Sequence, residues 1–448
     1  MHETERFDAF LSQRVNLSQS RINRLDAHVE AVSNFFSRGN GEFGSRFVQV
    51  VPQGSYAHGT IINPVSANDE FDADILVEVE ENLDWSAADY VQKLYEDFRG
   101  SGVYRDKVHR RSRCVLVDYA NEFHLDAVPF VRRVAGAYIT HRHEDRFELT
   151  DPEAFNEWLD EKNREANGNL VKALRLLKYL RDFKNRFDIK SVLLTILVGE
   201  RVSPVDQLVE PGCYDDVPST LRKLCLSLDD YLQQNAQKPH IADPGCPTES
   251  YDHRLTHEKY ANFRDRFHFY AEKIDKAYAE EDPVRSLSQW TEIFGEDFRQ
   301  VDVTVELSQK TALTAATERT EQQIDRDFGF PIRIDRNLAF KIRGRVVPRT
   351  GFRNYILSRQ GNKVLKHMDI DFFVEKCDVP KPYDLYWKVV NRGEEAQDAS
   401  SLRGEIIQDA GLERKRESTL YRGRHYVEAF VVKGGFCVAR DRQSVIIQ

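Results

Sequence analysis

With 448 residues, the chain is long enough for two or three domains with substantial cores. A hydrophobic content of 41% with 31% charge excludes a disordered chain, and no run of 18 apolar residues is present to span a membrane. Residues 331–448 carry 23 Lys and Arg against 15 Asp and Glu, a net of +8, which leaves −17 for residues 1–330. So acidic a body argues against a protein that grips long nucleic acid by its phosphates. The opening Met1-His2-Glu3-Thr4-Glu5-Arg6 has no apolar signal core, and the six cysteines form no C-x-x-C pair. A cytoplasmic protein with free thiols is expected.

Apolar residues from Phe7 through Phe10, Leu11, Val15, Ile22, Leu25, Val29 and Val32 to Phe36 recur at roughly helical spacing, so residues 4–36 are predicted as one amphipathic helix bracing the next lobe. From 45 to 145, strands alternate with a helix predicted from Trp85 to Phe98. A β-like run, Phe47 to Val51, enters the turn Gly54-Ser55-Tyr56-Ala57-His58-Gly59-Thr60. Glycine there lets the backbone approach an anion, with N–H groups and the Ser55 hydroxyl as donors.

The next run, Phe71 to Val79, carries Asp72 and Asp74. Residues i and i+2 of a strand face one side, so the two carboxylates aim at one spot. Packing gives no reason for that arrangement, whereas a divalent cation held together with substrate phosphates does. Arg113–Tyr119 and Phe123–Phe130 read as further strands, and Asp126 lies in the second. A neighbouring strand would bring Asp126 beside the pair.

The string Gly54-Ser55-Tyr56-Ala57-x-Gly59-Thr60, then Asp72-Ala73-Asp74, then Leu125-Asp126-Ala127-Val128-Pro129-Phe130 resembles the polymerase-β-type nucleotidyltransferases, and within them the bacterial cGAS/DncV-like group (SMODS). The resemblance runs from about residue 40 to 300. It implies a mixed-sheet catalytic lobe over residues 1–150 and a helical lobe over 151–304. It also implies Mg²⁺ or Mn²⁺ at Asp72, Asp74 and Asp126, and ATP, GTP or pyrimidine NTPs as substrates.

Asp151-Pro152 is a good helix start. From Asn169, apolar residues at 170, 171, 174, 177 and 180 mark a core helix, with Lys178 beside the stripe between Arg175 and Arg181. A lysine there is ordinarily a solvated edge; the resemblance instead matches it to a triphosphate contact. Ser191 reads as a helix cap by physics alone, and the resemblance makes it a phosphate contact as well. With Gly54 and Ser55, these complete the expected nucleotide-binding set. Residues 201–250 are broken by prolines, among them Pro218. Their cysteines and histidines lack the short paired spacing of a zinc site. Tyr251–Tyr278 is predicted as a long polar helix. Ser286–Phe298 then closes the helical lobe with Trp290, Ile293 and Phe294 in its core.

Residues 305–330 are poor in large apolar side chains and read as a linker. Beyond Pro331, runs at Leu338–Val347, Val364–Val374, Tyr383–Asn391 and Tyr426–Arg440 predict an all-β sandwich. Stretches around Trp387–Ala396, Leu402–Gly404 and Arg416–Glu428 resemble the adenylyl/guanylyl cyclase and SMODS C-terminal sensor domain across 331–448. Trp387, Arg403, Arg416, Tyr421 and His425 are stacking or phosphate-binding types and are the candidate ligand residues. Trp and Tyr in a sandwich are more often core.

The fold class expected is therefore α+β, followed by an all-β C-terminal domain. The activity implied is synthesis of a cyclic oligonucleotide messenger in anti-phage signalling. Its partners would be NTPs, a ligand or regulatory protein at the tail, and an effector reached through the product, with no membrane and no long nucleic acid. A transferase acting on RNA or protein, and an inert nucleotide sensor, are the rival readings.

Overall fold

A computed structural model describes residues 3–65, 70–119, 123–303, 322–334, 338–347, 354–399 and 401–448. The chain divides into two compact units, 1–307 and 308–448.

The first unit opens with α1 (Thr4–Phe10), which tightens into a π turn over Leu11–Val15, and continues with α2 (Gln19–Ser37). The single brace helix expected from the spacing is thus broken. Asn16 is extended (φ −74°, ψ 145°), and Ser18 restarts the helix by accepting Arg21 N at 3.4 Å. The break lets one amphipathic stretch serve two cores. Phe7 and Phe10 enter the helical core, where Phe7 meets Trp290 and Phe298 edge-on at 4.9 Å. Leu25, Val29, Val32 and Phe36 cover the sheet instead.

After α3 (Gly41–Gly44) come β1 (Phe47–Gln53), the single turn α4 (Gly54–Ala57), β2 (Phe71–Val79) and α5 (Ala87–Gly100). Ser86 and Asp89 start α5 with a reciprocal capping box. The strands β3 (Val108–Arg110), β4 (Val115–Tyr119), β5 (Phe123–Arg133), β6 (Gly136–His141) and β7 (Arg146–Leu149) complete a seven-stranded sheet. Its order is β1-β2-β5-β4-β3, with β6 and β7 extending from β5. Only the central pair, β2 and β5, is parallel, because the chain crosses over through α5 between them.

The helical part begins with α6 (Pro152–Glu165), where Asp151 accepts Ala154 N and Pro152 occupies the first turn. Then follow α7 (Leu170–Lys184), α8 (Ser191–Gly199), α9 (Asp206–Val209) and α10 (Val217–Gln234). Pro218 begins α10 rather than breaking the chain, since Asp216 caps the helix and proline costs nothing in a first turn. The long helix is α11 (His257–Ala279), shorter at its start than expected because Thr256 is its cap. It is followed by α12 (Pro283–Phe294) and α13 (Glu296–Gln300). Trp290, Ile293 and Phe294 are all buried. Among the described residues, no helix is long and apolar enough to cross a membrane.

The second unit is a β-sandwich. One sheet joins β8 (Phe340–Val347), β9 (Tyr355–Ile356), β11 (Asp369–Cys377) and β14 (Arg414–Ser418). The other joins β10 (Lys363–Val364), β12 (Asp384–Val390), β13 (Ile406–Gln408), β15 (Gly423–Lys433) and β16 (Phe436–Ile447). The run Tyr426–Arg440, expected as one strand, is a hairpin turning at Gly434 and Gly435 (φ +59° and +81°). Of the expected linker, residues 305–321 lie outside the described residues. Residues 322–330 pack onto this unit: Ile324 is buried, and the Phe328 and Phe330 rings meet Tyr386.

Candidate active site

The central parallel pair places the acids. Asp74 of β2 registers with Asp126 of β5, and Asp72 with His124. With a period of two, Asp72, Asp74, His124 and Asp126 share one face. Asp72 is exposed, whereas Asp74 and Asp126 are half-buried. Burial of the Asp74 carboxyl, with the charges of Asp126 and Asp72, pushes its pKa up to about 7, partly offset by Arg254 and Lys178. Burial and the Asp72 charge also raise Asp126. Asp126 Oδ1 is buried and accepts no hydrogen bond, although the Cys114 thiol faces that carboxyl. His124 is held between Glu70 and Asp118.

Among the described residues, no three acid, imidazole or thiol side chains stand at ligating distance from a common point. The three acids share a face and a field without being drawn together. Their chemistry nevertheless fits a hard cation. Crowded carboxylates and an orphaned buried oxygen are costly by themselves, and a divalent ion relieves both.

Beside them, β1 ends in the turn α4. Gly54 takes φ +58°, and a Cβ there would lie 2.7 Å from Asp74 Oδ2, so glycine is required both by the backbone and by the carboxylate. Ser55 lies in this turn, and its carbonyl accepts Thr60 N at 2.9 Å. The turn is clamped from three sides. Tyr56 donates to Asp26 at 2.6 Å, and His58 stacks on Phe155 at 5.0 Å. The third clamp is α7. Arg175 donates to the Gly59 carbonyl, and Lys178 Nζ donates to Thr60 O at 3.0 Å and Oγ1 at 2.9 Å.

Lys178 is not a solvated edge: it is 4% exposed, and burial lowers its pKa to about 7, with Arg181 adding to the effect. Arg181 donates to Ile189 O at 2.9 Å and to Ser191 Oγ at 3.1 Å. Ser191 is therefore not the helix cap that physics alone suggested. Lys190 occupies the cap position of α8, and the Ser191 hydroxyl accepts from Arg181 instead.

In the second unit the five candidate ligand residues do not share one environment. Trp387 is sealed in the sandwich core with Nε1 on Asp409 at 2.9 Å. Arg403 is paired with Glu405 and Glu417, and the exposed Arg416 with Asp369 and Asp371. Tyr421 donates to, or accepts from, Ser401 at 3.1 Å. His425 is buried, accepts Arg392 N on Nδ1, and is held below its ordinary pKa by burial.

Sequence reasoning missed Arg254, whose charge acts on Asp74, and Cys114, which faces Asp126. Nothing local to either residue marks it. Each is brought to the acids by tertiary structure.

Residues 1–163 match the Second Messenger Oligonucleotide or Dinucleotide Synthetase domain, and residues 318–448 match the Adenylyl/Guanylyl and SMODS C-terminal sensor domain. A c-di-GMP synthase of Roseivirga ehrenbergii is 28% identical over 35% of this chain and 43% of its own length. A cyclic AMP-AMP-AMP synthase of an Acinetobacter species is 24% identical over 58% of this chain and 75% of its own. The chain thus spans less than half of the first relative. Among solved structures, the CdnG enzyme of Bradyrhizobium diazoefficiens in complex with GTP covers 68% of this chain and 97% of its own, with 19% identity and a TM-score of 0.53. The DncV cyclic AMP-GMP synthase of Vibrio cholerae covers 67% and 98%, with 12% identity and a TM-score of 0.54. Those likenesses give the fold of the first unit, and the two domain matches fall in the same order along the chain. The chain belongs to the cGAS/DncV-like nucleotidyltransferases and carries at its C-terminus the sensor domain named for that group.

Proposed function

We propose that the protein condenses nucleoside triphosphates into a cyclic oligonucleotide messenger, releasing pyrophosphate. The observation that carries this is Asp74 opposite Asp126, with Asp72 on the same face, beside a Gly54-Ser55 turn clamped by Arg175 and Lys178. Relatives named as synthases of cyclic di-GMP, cyclic AMP-AMP-AMP and cyclic AMP-AMP-GMP support a cyclic product. Neighbours bound to GTP and ATP support triphosphate substrates.

Asp72, Asp74 and Asp126 would hold two Mg²⁺ or Mn²⁺ ions, which when bound activate an attacking hydroxyl and steady charge at the α-phosphate. Gly54 and Ser55 offer backbone and hydroxyl donors to the phosphates. Lys178 and Ser191 lie at the ends of one chain of contacts on α7 and α8, and they take the β- and γ-phosphates. Because the body carries −17, these few donors supply most of the anion binding apart from the ions. Asp126, with an oxygen free of hydrogen bonds, serves the attacking hydroxyl.

The tail acts as a sensor for a ligand or regulatory protein and contributes no catalytic residue. A neighbouring CdnC structure contains a HORMA protein, which makes a protein regulator a reasonable class for this chain. The setting is cytoplasmic anti-phage signalling through an effector that reads the product. The test is incubation with four labelled NTPs and Mg²⁺ or Mn²⁺, with products identified by mass spectrometry. A cyclic product supports the reading. Only linear addition to RNA or protein, or no turnover, removes it.

A further inference from the structure

The segment 238–255, ahead of α11, is fastened far more heavily than a surface loop needs. Lys238 Nζ donates to Asp252 O at 2.8 Å and Leu255 O at 3.0 Å. The Asp252 carboxylate accepts Ile241 N at 2.7 Å and pairs with His240 at 2.8 Å. Tyr251 donates its N–H to Ile241 O at 2.9 Å and its hydroxyl to Asp243 Oδ2 at 2.9 Å. Asp243 Oδ1 accepts Gly245 N at 2.8 Å and Cys246 N at 3.2 Å. Gly245 packs so tightly on the start of α6 that a Cβ would lie 2.5 Å from Asp151 O. Ile241 and Leu255 root the segment in the helical core.

This rigid mount ends in Arg254. Its guanidinium lies over the Tyr251 ring at 5.3 Å. The side chain is exposed and, among the described residues, makes no hydrogen bond or ion pair. Its charge nevertheless acts on Asp74 more strongly than that of Lys178. An arginine stacked by one face keeps its in-plane N–H fork free, and that fork matches two phosphate oxygens. In an acidic body, an unpaired guanidinium held rigidly beside three carboxylates has no carboxylate partner of its own to serve.

We propose that Arg254 is a phosphate-binding residue of the acid site, a cationic contact beyond Lys178 for the β- and γ-phosphates of a bound nucleoside triphosphate. This rests on the nucleotidyltransferase reading of that site. Tyr251 is its positioning residue, holding the guanidinium by stacking.

The probes are α,β-methylene ATP and GTP with Mg²⁺, titrated onto the full chain by calorimetry, and pyrophosphate as a product inhibitor. R254A is expected to weaken analogue binding and pyrophosphate inhibition about tenfold each, the worth of one charge-assisted contact. R254K should fall between, because it keeps charge but loses the fork. The melting temperature should not move, since the side chain is exposed. A merely structural arginine would not alter pyrophosphate inhibition. If R254A binds and is inhibited within twofold of wild type while wild type turns over, the Arg254 assignment is overturned and the active-site reading stands. If wild type binds no analogue and releases no pyrophosphate, the reading itself falls and takes this assignment with it.

Discussion

Asp74 and Asp126 stand directly across from each other on the only parallel strand pair of the seven-stranded sheet. Their carboxyls press against one another's charge, and burial of Asp74 holds its pKa at about 7. Such an arrangement costs stability and is justified only by what it binds. D74N and D126N should therefore separate the two roles. Turnover should fall by at least about 10³-fold, or about 4 kcal/mol. The melting temperature of the metal-free protein should rise by about 2 °C or more, because a neutral amide ends the repulsion. Pyrophosphate release and calorimetry check both, and near-wild-type turnover in either variant would break the assignment.

Lys178 gives a pH signature. Burial depresses its folded-state pKa from 10.5 to about 7, so near pH 8 the folded lysine is largely neutral while the unfolded one is charged. The folded state then binds fewer protons than the unfolded state between those values, and stability from this residue grows as pH rises from about 7 toward 10.5. A bound triphosphate restores the charged form. Nucleotide binding at pH 8 should thus take up about one proton, measured by calorimetry in buffers of different ionisation enthalpy. K178M should abolish the uptake without lowering the melting temperature at pH 7. Uptake unchanged in K178M would place the proton elsewhere.

Ser191 accepts from Arg181, while the cap position of α8 belongs to Lys190. S191A should consequently leave the melting temperature within about 1 °C. It should raise the KM for nucleotide about threefold to tenfold, close to one hydrogen bond to a charged group. A drop in stability with an unchanged KM would return Ser191 to a purely local role.

What the sequence disclosed and what it concealed divide by range. The shared face of Asp72 and Asp74 follows from a period of two, and Asp151-Pro152 marks the start of α6 through local capping chemistry. The break at Asn16 is not visible, because the apolar spacing continues across it. It exists because two separate cores claim the two halves. Pro218 looked like a breaker because proline is ambiguous until the cap at Asp216 is known to be used. Arg254 follows the acids by 180 residues of sequence and reaches them only through the folding of the 238–255 segment. Trp387 has the composition of a ligand residue, but its neighbours Ile342, Phe372 and Val431 make it core.

The boundary before the sensor domain follows from the packing of residues 322–330. Gln322 N donates to Gly404 O at 2.9 Å, and its side-chain oxygen accepts Ile406 N at 2.7 Å. Ile324 is 2% exposed, and Phe328 and Phe330 cover Tyr386. A cut near residue 325 would strip these contacts from a domain that depends on them, so the cut belongs before Gln322, after Leu307. The piece 308–448 should be more stable than 331–448 by about 3 kcal/mol, the burial of one isoleucine and parts of two phenylalanines. That corresponds to about 10 °C in melting temperature for a domain of this size. Residues 1–307 have their own two cores and all three acids, so this piece should fold and release pyrophosphate from NTPs without the tail. A well-folded 1–307 that releases none would mean that the tail completes the active site, and its assignment as a sensor would fail.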